Sequence, residues 1–220
     1  TIEKGLSANL LKAIKKVRQQ NREYFGFASG THIWTHTNFE PRSAGAFEDE
    51  EEKWKFIKDN DIYISFHTHP IWFLGDKWKK WHDVPSPEDY AFAVYHRLNF
   101  DIAYEVISTQ HGFFILQVLP KGKDSFSSWY TEEMFEHDSK VCLEAWNLEG
   151  GAERFRGVLT PLQHVQDTVR HINKNTKGVK FKLTFYDNPI MAIKWKQEED
   201  EGWDGKYIKV NPQEPGMKTA

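Results

Sequence analysis

The stretch Ile62-Tyr-Ile-Ser-Phe-His-Thr-His-Pro70 decides the fold and points to the chemistry. Apolar residues alternate from Ile62 to Phe66, the period of a half-buried strand, and two histidines separated by one residue stand at its end. Downstream, Pro85-Ser-Pro-Glu-Asp89 opens a helix, with Ser86 a natural N-cap and Pro87 suited to the first turn. Two imidazoles so spaced turn toward one ion where the strand loses its regular pleat, and Asp89 reaches the same ion from the helix start. Three ligands of N, N, O type leave a fourth tetrahedral position open, the design of a catalytic rather than a structural zinc. Water bound at such a position has its pKa lowered to about 7.

Working outward, residues Ser7 to Gln20 carry Leu10, Leu11, Ile14 and Val17 at helical spacing, with lysines and Arg18 on the other side. Such a helix packs on a sheet. Glu23 then begins an aromatic strand stopped by Gly30, and Thr31 to Thr37 reads as its returning partner. Residues Asn38 to Asn60 show no apolar alternation, and the acidic run Phe47 to Glu52 is a solvated loop or helix start, because adjacent carboxylates point in different directions. After the helix from Glu88 to Leu98, strands are expected over Ile102 to Ser108 and Gly112 to Leu119, joined at Gln110-His-Gly112. Helices (Phe126 to Asn147, Pro161 to Asn175), an alternating strand ending at Tyr186, and a hairpin of Ile190 to Lys196 against Lys206 to Val210 complete the expected elements. This order gives an α/β fold with a mixed sheet and flanking helices. We expect a core over 1–123 and a helical and β-hairpin C-terminal extension over 124–220.

The chain has 220 residues, 39% of them hydrophobic, enough for a substantial core, and a formal net charge of -3. That balance calls for neither a nucleic acid nor an anionic membrane as partner. Nine Trp and sixteen Phe are spread along the chain rather than grouped with Arg and Gly, which favours packing over base stacking. Cys142 is the single cysteine, so an internal disulfide and a cysteine-based zinc knuckle are excluded. No apolar run approaches a membrane span and the N-terminus lacks a signal-peptide core, which favours a reducing, cytoplasmic setting.

Glu23 supplies what the metal ligands lack. A carboxylate upstream of the site, beside the metal without ligating it, takes the proton from the bound water. Glu40, Glu48 and Glu50 to Glu52 also lie upstream, but only Glu23 opens an aromatic strand directly after a helix. Together, Glu23 with its following Tyr-Phe-Gly-Phe-Ala-Ser-Gly, His67-Thr-His69-Pro70 and Ser86-Pro-Glu-Asp89 resemble the signature of the JAMM (MPN+, JAB domain) zinc metalloproteases. The order of elements over Ser7 to Leu119 also resembles that fold, which is related to the cytidine deaminases. The resemblance implies that His67, His69 and Asp89 bind Zn2+, that Glu23 is the general acid/base, and that Ser86 helps stabilise the tetrahedral intermediate. It further implies hydrolysis of a peptide or isopeptide bond, in a protein or peptide substrate such as a ubiquitin-like conjugate.

One departure concerns the segment between His69 and Ser86, roughly nine residues longer than the family's usual spacing of about seven. It is either a tolerated surface insertion, cheap in loop entropy, or a substrate-contacting flap. Its Trp72, Phe73, Trp78 and Trp81 are costly to expose, so loop 70–85 is expected to pack on the body or on a protein partner. The competing function is a non-catalytic MPN-like scaffold within a larger assembly, although such versions generally lose ligands. A deaminase is disfavoured because the Pro-Cys-x-x-Cys ligand pair is missing.

Overall fold

The computed structural model describes residues 11, 14, 25–30, 32–36, 50–69, 84–109, 111–122, 125–126, 129–145, 160–187 and 207–209. Besides Leu11 and Ile14, which are helical, they contain the helices α1 (Glu50–Asp59), α2 (Pro87–Phe100), α3 (Glu132–Leu143) and α4 (Pro161–Asn175). The strands are β1 (Phe25–Ala28), β2 (His32–His36), β3 (Ile64–Thr68), β4 (Tyr104–Ser108), β5 (Gly112–Pro120), β6 (Val179–Asp187) and β7 (Tyr207–Lys209). All seven form one mixed sheet in the order β6-β5-β4-β3-β1-β2-β7. Only β3 and β4 run parallel; every other neighbouring pair is antiparallel. A parallel pair needs a long crossover, and here the connection carries α2 over the sheet. The fold is therefore the mixed α/β sheet with helices that the alternation of periods announced.

Strand alternation sorts the core into two faces. On one face, Ala28, Ile33, Ile64, Phe66, Tyr104, Val106, Phe113 and Ile115 pack with Leu11 and Ile14, which are helical and buried as the N-terminal stripe required. The other face belongs to the four helices. Its apolar residues form one cluster around Phe25, Phe27, Ile57 and Phe100 and another around Tyr90, Val94, Ile107, Phe114, Cys142 and Val165. Between those clusters, in the middle of the sheet, the same face presents Ser65, His67 and Glu105. On the opposite face, Gly26 lets the Phe66 ring lie against β1: a Cβ would collide with that ring and with the Trp34 carbonyl oxygen.

Several elements differ from the sequence expectation. The strand bearing the histidines starts at Ile64 and runs through Thr68, so His67 lies within it rather than past its end. The ladder to β4 keeps the pleat regular, pairing His67 with Ile107 and Thr68 with Ser108, and His69 N still donates to the Ser108 carbonyl at 2.8 Å. The two imidazoles share a side because residues i and i+2 of a strand do so, not because the pleat fails. The helix expected from Phe126 starts at Glu132, where Thr131 caps it by accepting from Met134 N. Residues 50–52 of the acidic run begin α1, where acidic side chains suit the positive end of the helix dipole. The strand at 207–209 pairs with β2; residues 190–196, its expected hairpin partner, lie outside the described residues.

Beyond residue 123 the chain continues the same layers. Strand β6 pairs with β5 along nine residues, and α3 packs on α2. The turn into β6 is held by Asp138 of α3, a fully buried carboxylate that accepts from the backbone N–H of Lys177, Gly178 and Val179 and from the Tyr130 hydroxyl. No helix among the described residues is long and apolar enough to cross a membrane.

Candidate metal centre

Local rules put Asp89 where it is. Ser86 caps α2 through its hydroxyl, which accepts from Asp89 N at 3.3 Å, and the Asp89 carboxylate accepts from Ser86 N at 2.6 Å. This reciprocal capping box fixes the side chain at the third helical position and turns it back toward the end of β3. There it meets both histidines. His67 Nε2 lies 3.1 Å from Asp89 Oδ1, His69 Nε2 lies 3.4 Å from Asp89 Oδ2, and the two Nε2 atoms are 3.1 Å apart. Ligand atoms on a tetrahedral ion with bonds of about 2.0–2.1 Å are separated by roughly 3.3 Å. Each of the three contacts is near that separation, with His67 and His69 facing different oxygens of Asp89, and one ligand atom from each residue lies within 4.8 Å of the others, which makes this group the metal-competent cluster found among the described residues.

All three residues are largely withdrawn from solvent, His67 and His69 at 5% and 7% exposure. Burial pulls the His67 pKa down, but the carboxylates of Asp89 and Glu105 outweigh it and hold that pKa well above the ordinary histidine value. Burial pushes the Asp89 carboxyl up, and the facing imidazoles overcome that and hold it well below its usual range. The cluster without an ion thus keeps a proton on His67 Nε2, facing His69 Nε2 at 3.1 Å. A divalent cation would replace that proton and satisfy all three groups at once. The donor set fits zinc, with the nitrogen and oxygen ligands and the incomplete shell expected of an open site.

Behind the ligands lies a polar chain that sequence reading missed. His67 Nδ1 is 3.0 Å from Glu105 Oε1 on β4. The other Glu105 oxygen accepts from the Ser65 hydroxyl. His96 Nδ1 lies 3.0 Å from Ser65 Oγ, and its Nε2 lies 3.1 Å from Lys53 Nζ. Glu105, Ser65 and His96 are each at most 2% exposed. Burial lowers the His96 pKa, with Lys53 and His67 pushing the same way against the opposing pull of Glu105, so the ring is neutral. The available signal was one carboxylate inside the apolar run Ile102 to Ser108, on the face opposite Tyr104 and Val106.

Of the expected site residues, His67, His69 and Asp89 come together, and Ser86 adjoins them through the capping box. The Ser86 hydroxyl serves as an acceptor in the cap, which leaves its proton without an acceptor among the described residues. Glu23 lies outside the described residues, as do Trp72, Phe73, Trp78 and Trp81. The strand that Glu23 precedes pairs Phe25 with His67. No protein-family model, curated protein or solved structure matches the chain.

Proposed function

We propose that the chain is a zinc-dependent hydrolase of a peptide or isopeptide bond, of the JAMM type, with a ubiquitin-like conjugate as one substrate class. The observation that carries this reading is the convergence of His67 Nε2, His69 Nε2 and the Asp89 carboxylate at 3.1–3.4 Å. A bound zinc supplies a Lewis acid and a nucleophilic water at neutral pH. The chain's own residues do the rest. His67, His69 and Asp89 would hold the ion. The free Ser86 proton is available to an oxyanion, a contribution worth about 10²–10³ in rate for comparable donors. Glu23, by its place in the motif, shuttles the proton to the leaving amine.

The test is metal analysis of purified protein combined with cleavage of an isopeptide-linked substrate. Zinc near one equivalent and cleavage that Glu23→Gln abolishes without releasing zinc support the reading. A Glu23→Gln protein with near-normal turnover overturns the mechanism. Protein that retains no zinc when supplied with it favours the non-catalytic scaffold.

A further inference from the structure

We propose that Glu105 is a positioning residue of this metal centre, and that a one-way hydrogen-bond chain from Lys53 through His96 and Ser65 dictates which nitrogen of His67 meets the ion. The proposal rests on the metal-site reading of His67, His69 and Asp89 and extends it to four residues outside the motif.

The direction of every bond follows from chemistry at the two ends. An ammonium only donates, so His96 Nε2, 3.1 Å from Lys53 Nζ, accepts. The neutral His96 ring then carries its proton on Nδ1 and donates it to Ser65 Oγ at 3.0 Å. The Ser65 hydroxyl, already accepting, passes its own proton to Glu105 Oε2. An ionised carboxylate only accepts, so Glu105 Oε1 takes the Nδ1 proton of His67 at 3.0 Å. Once a cation displaces the Nε2 proton, the Nε2 lone pair of His67 remains aimed between His69 and Asp89, where the ion belongs.

The chain is also held rigidly. Ser65 and Glu105 are register partners on adjacent parallel strands, and His67 follows Ser65 on the same face. The His96 ring is wedged among Phe92, Phe27 and Phe25, at centroid distances of 3.9, 5.8 and 5.9 Å. Lys53 is seated among aromatic rings, 4.5 Å above that of Phe100 and 5.6 Å from those of Phe92 and Tyr95. Cation–π attraction favours the charged ammonium there. A carboxylate hydrogen-bonded to the distal nitrogen of a ligating histidine fixes the tautomer and raises ligand basicity, and losing it typically costs 10–100-fold in metal affinity.

The test measures metal binding rather than turnover, using chelator competition for zinc and the visible absorption of the cobalt-loaded protein. Glu105→Gln keeps the shape and an acceptor for His67 but removes the charge. We expect zinc affinity to fall about 10–100-fold, the cobalt bands to shift, and the metal-free protein to retain its circular dichroism. Unchanged affinity and spectrum in a folded Glu105→Gln protein overturn the positioning role and leave the metal site standing. Wild-type protein that takes up neither zinc nor cobalt overturns both. Should Glu105→Gln not fold, Ser65→Ala carries the same test with an expected loss of a few-fold, and unchanged affinity there overturns the proposal. Lys53→Met, which keeps the aromatic packing, is expected to weaken zinc binding less than Glu105→Gln does. Unchanged affinity in that variant overturns the Lys53 end of the chain.

Discussion

Asp89 and Asp138 are both withdrawn carboxylates on helices of the same sheet face, and their partners differ in kind. Asp138 is surrounded by protein donors: the N–H groups of Lys177, Gly178 and Val179, the Tyr130 hydroxyl, and His137 Nδ1 at 3.0 Å. Its bonding is complete, and its product is the turn into β6. Asp89 faces two imidazole nitrogens that also face each other at 3.1 Å. Two N–H groups cannot point at one another comfortably, so that cluster is closed by a proton or better by a cation. Asp138 is satisfied by protein donors that build a turn, whereas Asp89 joins two histidines in a group whose ligand atoms could hold one ion.

The sharpest way to break this contrast is to truncate each carboxylate in turn. Asp89→Ala should abolish zinc binding, while the metal-free fold loses the capping box, about 1 kcal/mol, and the carboxylate that helps keep His67 protonated. Asp138→Ala should do the reverse. It leaves three backbone N–H groups without an acceptor, at about 1–3 kcal/mol each when buried, and should lower unfolding free energy by about 3–5 kcal/mol in urea titration, with zinc stoichiometry intact in the folded fraction. If Asp89→Ala retains zinc at one equivalent, the two carboxylates are not different in kind.

Zinc itself should separate the two regions thermodynamically. Free zinc at a hundredfold excess over its dissociation constant should stabilise the wild type by about 2.7 kcal/mol, and Asp138→Ala by the same amount. Asp89→Ala should gain nothing. Melting curves with and without zinc make this comparison directly.

A smaller effect concerns pH. The folded-state pKa of His67 is raised above the ordinary value of 6.5. Its contribution to the metal-free protein's stability is therefore fully present below pH 6.5 and lost as pH rises through the raised value. Zinc affinity should move oppositely, gaining up to about tenfold per pH unit across the same window as one proton is released. Chelator competition at several pH values should show that slope in the wild type; a flat profile would contradict the proton that Asp89 and Glu105 hold on the ring. The least effect is expected at Cys142. Burial, with the nearby Asp138 charge adding to it, raises the thiol pKa well above its usual value, so the folded protein should resist thiol reagents that label it after denaturation.

Much of this was legible locally. Ser86, Pro87 and Asp89 announce a capped helix because cap chemistry lies within one turn, and the alternation around Phe66 announces a strand because the pleat has period two. The same rules brought His67 and His69 to one face. Elsewhere the local signal misled: the apolar and aromatic content from Phe126 onward suggested a helix, yet Thr131 caps α3 and the preceding aromatics pack outside it, Phe126 against Tyr130 at 5.4 Å. The pairing of the short strand at 207–209 with β2 was not legible, because β2 is distant in sequence.

By itself, then, the sequence determined the mixed α/β class and three candidate ligands, since helix caps, strand period and ligand chemistry are properties of short segments. Only the tertiary structure decided that Asp89 meets both histidines, and that Glu105, Ser65, His96 and Lys53 line up behind them. These four come from β4, β3, α2 and α1, and nothing in their local sequence relates them. The parallel register of β3 and β4 sets Ser65 beside Glu105, and the packing of α1 and α2 on that sheet face brings Lys53 to His96.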